Sequence, residues 1–406
     1  MPKNPAASSK SAAELSLPIV KLSSRGAARL KSGHPWVYRS DIAAAENVPP
    51  GAMIKVADPR GKSLGTALYS SSSQIAIRMI AKHDAEITDL PALIGERIRA
   101  AIAYRQQFVA DTDAYRVVFS EADFLPGLII DRYNDVLSVQ ILTQAIDAEP
   151  VRGVVIETLV EELKPTGIVE RVDARIRDLE QLLPRQSGLL WGAKSSTMIQ
   201  MNGVRFHYDA LEGQKTGAFL DQRENYAAAA RYAHGEALDA FCYQGGFALH
   251  LAPQCSSVTG VDSSRPALEM ADKNTALNGR EIEWIEANAF DLLRDYADVG
   301  RRYDTVVLDP PAFAKTKRDL DKARGGYKEL NLRALKMLSP GGILVTCSCS
   351  FHVSASDLLE VVAAAAIDAH KTLRLLENRT QAKDHPILLN APETGYLKCL
   401  ILNVND

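Results

Sequence analysis

Along this 406-residue chain, short apolar runs are set off by Gly, Pro and Ser at first and alternate with helical patterns later. Residues 19–22, 53–57, 64–69 and 75–80 are four such runs, and they predict a small β domain. Residues 84–111 then place Leu90, Leu93, Ile94, Ile98 and Ile102 on one helical face. Runs near 115–119, 127–131, 136–142 and 167–171, with a helical stretch near 150–163, predict a compact second unit. Its turn is EADFLPG, residues 121–127, where Pro126 and Gly127 reverse the chain. Residues 198–208 read as a hairpin about Asn202-Gly203. Beyond it, apolar strands at 238–241, 258–261, 283–285, 304–309 and 341–352 alternate with helices at 247–253 and 266–277, the pattern of an open parallel sheet. The Asp384-His385-Pro386 and Gly395-Tyr396-Leu397-Lys398 stretches are expected to close that sheet. The expected organisation is a tail at 1–16, a β domain at 17–83, a small α/β domain at 84–195 and a Rossmann-like α/β domain at 196–406.

Composition narrows the class. With 46% hydrophobic and 24% charged residues the chain is expected to be globular. No apolar run reaches the roughly 18 residues of a membrane span, and residues 1–16 lack the apolar core of a secretory signal. The five cysteines show neither C-x-x-C nor zinc spacing, so no metal and a reducing cytoplasm are expected. The net charge of −3 hides an asymmetry: residues 18–82 carry ten Lys/Arg against three acids. On charge alone, a polyanion contact and a solvated surface weigh equally. In that region RLKSGHPWVY, residues 29–38, mixes cations with aromatics as RNA-binding surfaces do. Trp36 is expected to plug the β domain.

The candidate chemistry gathers at strand ends. Residues 238–262, LDAFCYQGGFALHLAPQCSSVTGVD, read as strand, glycine turn, helix and strand ending on Asp262. An acid at a strand's carboxyl end is able to hold both hydroxyls of a ribose. A dinucleotide cofactor fits poorly, because Phe241 and Tyr243 stand where G-x-G-x-x-G needs glycine. S-adenosylmethionine, with an adenosine and a sulfonium but no phosphate, fits better. Two further strands end on Asp309-Pro310-Pro311 and on Cys347-Ser348-Cys349. Two residues apart on one strand, the cysteines are expected to point the same way.

On these motifs the chain resembles the bacterial large-subunit ribosomal RNA cytosine-5 methyltransferases. That family is built from a PUA-like domain, a small α/β domain and a class I methyltransferase domain. The resemblance implies S-adenosylmethionine as cofactor and ribosomal RNA as partner, with no membrane and a homodimer left open. It places the KTGAFLDQR segment, residues 215–223, beside the cofactor's methionine end; from the residues themselves, Asp221 reads as an N-cap and Lys215, Gln222 and Arg223, grouped around one turn, read as functional. The implied cofactor set is Lys215, Gln222, Asp239, Phe241, Tyr243, Gly245, Asp262, Ser263, Asn288, Ala289 and Asp309. Asn288 departs from the acid usual at its position, but its amide oxygen can accept the same hydrogen bond. Arg29, Lys31 and Arg39 are the implied RNA contacts of the first domain; Phe313 and Lys315 are those of the active-site loop. Lys315, Lys317, Arg318, Lys322, Arg324 and Lys328 read as a basic loop over the site.

Carbon 5 of cytosine becomes nucleophilic only after a thiolate adds to carbon 6. The reaction therefore needs one cysteine and one acid at the pyrimidine edge. The resemblance assigns Cys349 as the nucleophile and Asp309 as the acid, and leaves Cys347 in the core. Ala312 stands where other cytosine-5 RNA methyltransferases keep a second cysteine, so the base that takes the carbon 5 proton is not named. Two rival readings are methylation of an exocyclic amino group of adenine or guanine, and a non-catalytic RNA-binding assembly factor. His352 and His385 are expected to be ordinary core or surface histidines.

Overall fold

The computed structural model describes residues 17–82, 87, 89–211, 218–314 and 316–406. The first sheet has six strands: β1 (Ile19–Leu22), β2 (Trp36–Tyr38), β3 (Ile42–Ala45), β4 (Met53–Ala57), β5 (Ser63–Tyr69) and β6 (Ile75–Lys82), ordered β2-β6-β5-β4-β1-β3. Val20, Leu22, Val37, Ile54, Val56 and Ile77 fill its core. Trp36 does not plug it. Side chains alternate along a strand, and Val37 takes the interior position, fully buried. The Trp36 indole instead donates its N–H to Glu121 Oε1, 2.9 Å away on the second unit.

The second sheet is β7 (Ala114–Phe119), β8 (Leu128–Tyr133), β9 (Val136–Ile141), β10 (Gly167–Glu170) and β11 (Gly188–Gly192), ordered β11-β10-β9-β8-β7. Helices Leu90–Phe108 and Glu149–Leu163 share its core through Ile94, Ile98, Ile102, Val151, Val155 and Leu159. The predicted hairpin is present as β12 (Ser196–Met201) and β13 (Val204–Asp209), turning on Asn202 and Gly203 with φ of 50° and 84°.

The third sheet carries the candidate chemistry. It contains β14 (Glu236–Ala240), β15 (Ser257–Asp262), β16 (Glu283–Glu286), β17 (Tyr303–Leu308), β18 (Leu338–Ser348), β19 (Thr372–Arg379) and β20 (Lys398–Asn405). Their order is β16-β15-β14-β17-β18-β20-β19, with the first five parallel and β20 antiparallel to both its neighbours. Strand order reverses at β14, and a ligand site is expected beyond the carboxyl ends there.

Three further expectations are corrected. The 384–386 segment is not a closing strand; it is a buried loop whose Asp384 meets the guanidinium of Arg223 at 3.1 Å. Arg223 therefore has a structural partner. The basic run at 320–328 opens the helix Leu320–Met337 rather than forming a loop, and Arg324 and Lys328 pair with Asp357, Glu360 and Asp368 of the next helix. Asp221 is not an N-cap: it lies within the turn Leu220–Gln222 and accepts the Tyr396 hydroxyl at 2.6 Å. No described helix is long and apolar enough to cross a membrane.

Candidate active site

The carboxyl ends of β14, β15, β17 and β18 open onto one cavity of about 560 Å³. The β14 turn is built for close approach. Phe241, Tyr243 and Gly245 all take left-handed backbone, with φ of 67°, 49° and 86°. A Cβ on Gly245 would meet the Trp284 ring at 2.8 Å, so glycine is required there. The turn leads into helix Gly246–Leu251, whose Ala248 N–H donates to Asp239 Oδ2 at 2.9 Å.

Asp239 is 1% exposed, and its Oδ1 is buried with no hydrogen-bond partner among the described residues. Burial pushes its carboxyl well above the ordinary carboxylate range, and the charges of Asp309 and Asp262 add to the rise. Asp262 ends β15 and accepts the N–H groups of Tyr243 (3.0 Å) and Ser264 (2.9 Å). A carboxylate has about four acceptor sites, so two bonds leave capacity for a ribose diol. Asp309, just beyond β17, accepts from Gln222 Nε2 at 3.0 Å. Gln222 is itself buried and fixed by Asn225 Nδ2 at 2.7 Å.

The two cysteines part company at the end of β18. Cys347 is the last-but-one residue of the strand, is fully buried and pairs across to Cys399 of β20. Burial and the neighbouring Cys399 push its thiol well up. Cys349 lies just past the strand, is half-buried and lines the cavity. The Cys347 thiol still lies on the cavity's side, against Gln222 and near Asp309, so the two cysteines differ in depth: Cys349 reaches the cavity surface and Cys347 does not. The chain there is held by hydroxyls. Ser348 Oγ donates to the Tyr327 phenol oxygen at 2.9 Å. Ser350 Oγ lies 3.1 Å from that oxygen and accepts the N–H groups of Phe313 (3.0 Å) and Ala314 (3.3 Å). Ser350 thus ties the cysteine turn to the Asp309-Pro310-Pro311 loop.

The cavity brings together Gln222, Asp239, Phe241, Tyr243, Asp262 and Ser263 with Asp309 and Cys349. Gly245 supports the turn without lining it. Asn288 and Ala289 also stand outside the lining: Asn288 caps helix Ala289–Asp298 through Phe290 N at 2.9 Å, and Ala289 is buried. Lys215 and Lys315 lie outside the described residues. Phe313 packs between the rings of Tyr327 (4.7 Å) and Phe290 (5.7 Å), a core position rather than the mouth of the cavity. In the first domain, Arg29 lies over the Tyr38 ring at 4.7 Å and Lys31 pairs with Asp58 at 3.2 Å. Arg39 spends its guanidinium on the Ser70 and Ser73 carbonyls. Sequence reasoning missed Phe219 and Tyr226 in the lining, and read Tyr396 only as part of a closing strand. It gave Ser350 and Tyr327 no role. The paired serines about Cys349 were the available signal.

Four acids, Asp221, Asp239, Asp262 and Asp309, and no lysine or arginine line the cavity among the described residues. With the unpartnered Asp239 oxygen, that donor set suits a ligand carrying positive charge and a ribose. S-adenosylmethionine carries both, and the residues present fit it.

Comparison with known proteins agrees. Residues 20–82 match the PUA-like domain family, and residues 189–391 match the S-adenosylmethionine-dependent methyltransferase family. Ribosomal RNA large subunit methyltransferase I of Shewanella denitrificans is 39% identical over 386 residues, covering 92% of this chain and 96% of its own. The protein of that name from Photobacterium profundum is 38% identical over 380 residues, covering 91% and 95%. Among solved structures, a methyltransferase complexed with SAH aligns with a TM-score of 0.81 at 18% identity, over 95% of this chain and all of the other. A methyltransferase from Streptococcus mutans gives 0.80 at 18% identity with the same coverage; both likenesses concern the fold. With the PUA-like domain, the reversed-order sheet and the acidic cavity in one chain, this protein is an S-adenosylmethionine-dependent methyltransferase and belongs to the ribosomal RNA large subunit methyltransferase I family.

Proposed function

We propose that the chain methylates carbon 5 of a cytosine in large-subunit ribosomal RNA, in the cytoplasm, through a covalent adduct to Cys349. The observation that carries this reading is that Cys349 and Asp309 line the same cavity from adjacent strand ends, while the other cysteine of the pair is sealed in the core. The printed names of the relatives supply the RNA class.

S-adenosylmethionine supplies a sulfonium-activated methyl group. The ammonium of its methionine end would take the free Asp239 oxygen, and Asp262 would take its ribose hydroxyls. Cys349 loses its thiol proton to solvent, and its sulfur bonds to carbon 6 of the ring. Asp309, held by Gln222, binds the polar edge of the pyrimidine. The ring's electrons then make carbon 5 the nucleophile that takes the methyl group. S-adenosylhomocysteine is the other product of that transfer; the carbon 5 proton then passes to water, the C5–C6 double bond re-forms and the thiolate leaves carbon 6. The target base has to leave its stack to reach this cavity. Residues 17–83 would dock the RNA, with Arg29 and Lys31 as its contacts, residues 84–195 would brace it, and residues 196–406 would do the chemistry.

Bisulfite sequencing of ribosomal RNA from cells with and without the gene tests the product; an unchanged cytosine map would sink the reading. Cys349→Ala should abolish methyl transfer, by about 10³-fold or more as for other lost nucleophiles, while calorimetry shows S-adenosylmethionine still bound. An enzyme acting on an exocyclic amino group would keep its rate in that variant.

A further inference from the structure

Resting on the covalent reading of Cys349, we infer that Lys398 is a positioning residue whose buried ammonium stabilises the Cys349 thiolate. Lys398 opens β20 directly opposite Ser348, the last residue of β18. It is 8% exposed. Its Nζ donates to the carbonyl of Ser350 at 2.7 Å and to that of Tyr396 at 2.8 Å. One carbonyl belongs to the residue after Cys349; the other belongs to a residue lining the cavity. The ammonium is thus fixed beneath the cysteine turn by two backbone groups, and both Cys349 and Asp357 act on it electrostatically.

The need for it follows from the cavity. A thiolate forms badly beside other negative charges. Asp221, Asp239, Asp262 and Asp309 line the same cavity, and no lysine or arginine among the described residues lines it. Tyr327, whose phenol lies by the cysteine turn, is pushed up by burial, and so is not a charge source. Among the described residues, Lys398 supplies a cation from behind that wall, held against the cysteine turn. Burial lowers its pKa to about 8, so the group is mostly an ammonium at neutral pH. A lysine that is costly to bury is retained where nearby negative charge repays the desolvation. The thiol proton leaves to solvent, and Lys398 keeps its own proton throughout.

The test is the pH dependence of Cys349 alkylation by iodoacetamide in the full chain, followed on the peptide that carries it. Cys242, Cys347 and Cys399 are buried, and Cys255 falls on another peptide, so the signal is separable. The wild-type midpoint should fall below the ordinary thiol value of about 8.5. Lys398→Met should raise it by about one to three pH units. At pH 7 methyl transfer should fall about tenfold for each unit. Lys398→Arg should keep the midpoint near that of the wild type. A wild-type midpoint at or above 8.5 overturns the inference even if Lys398→Met does not fold. So does an unmoved midpoint in a folded Lys398→Met. If Cys349→Ala keeps methyl transfer, the covalent reading fails instead, and the alkylation result still reports on the lysine–thiol pair.

Discussion

Two buried carboxylates, Asp384 and Asp239, show how this fold separates structure from chemistry. Asp384 is fully buried in the loop between β19 and β20. Burial alone would push its carboxyl up. The neighbouring His385, the two Arg223 nitrogens at 3.1 Å and the Arg116 N–H at 2.8 Å outweigh it and hold the group far below the usual range. Asp239 is as deeply buried, yet one oxygen is left without a partner and the nearby charges are other acids. Its carboxyl moves the opposite way. A satisfied buried charge fixes geometry; an unsatisfied one in a cavity marks where a ligand's charge belongs.

The comparison breaks most visibly at Asp384. Its loop joins the second unit to the third: Arg105, bound to Asp123, donates to the Asp384 carbonyl at 2.7 Å. Asp384→Ala would leave the Arg223 guanidinium buried and uncompensated, and should cost about 3–5 kcal/mol of stability in urea unfolding. A loss below 1 kcal/mol would show that water reaches the pair.

Asp239→Asn should do the reverse. Cofactor affinity by calorimetry should fall about 10- to 100-fold through the lost charge contact (1.4 kcal/mol per tenfold), while the free protein should become no less stable. The pH signs also differ. A carboxyl raised in the folded state makes the free protein less stable as pH rises from about 4 through its folded value, because the folded state holds the proton longer. Asp239→Asn should remove that slope. Asp384, being depressed, contributes stability above about pH 4 that is lost as pH falls through its folded value. Urea melts of both variants across this range, compared with wild type, read the two slopes apart.

The smallest effect sharpens the comparison within the cavity. Gln222→Ala removes one donor to Asp309 without removing a charge, and one neutral-to-charged hydrogen bond is worth roughly 1.5–3 kcal/mol. The expected loss is about 10- to 100-fold in kcat, with calorimetric affinity for S-adenosylmethionine nearly unchanged. A change in affinity alone would place Gln222 with the cofactor instead.

The order of elements was legible from residue pattern because it depends on local physics. The alternation of apolar strands and helices past residue 236, the Asn202-Gly203 turn and the acid closing β15 are set by side-chain periodicity and backbone preference within a few residues. So was the meeting of Asp262, Asp309 and Cys349, since parallel strands deliver their carboxyl ends to one side. The fate of individual polar side chains was not legible. Whether Arg223 serves a ligand or Asp384, and whether Trp36 faces its own core or Glu121, depend on partners 161 and 85 positions away. Burial and pairing of charge are long-range properties of the folded chain, and only the tertiary structure assigns them.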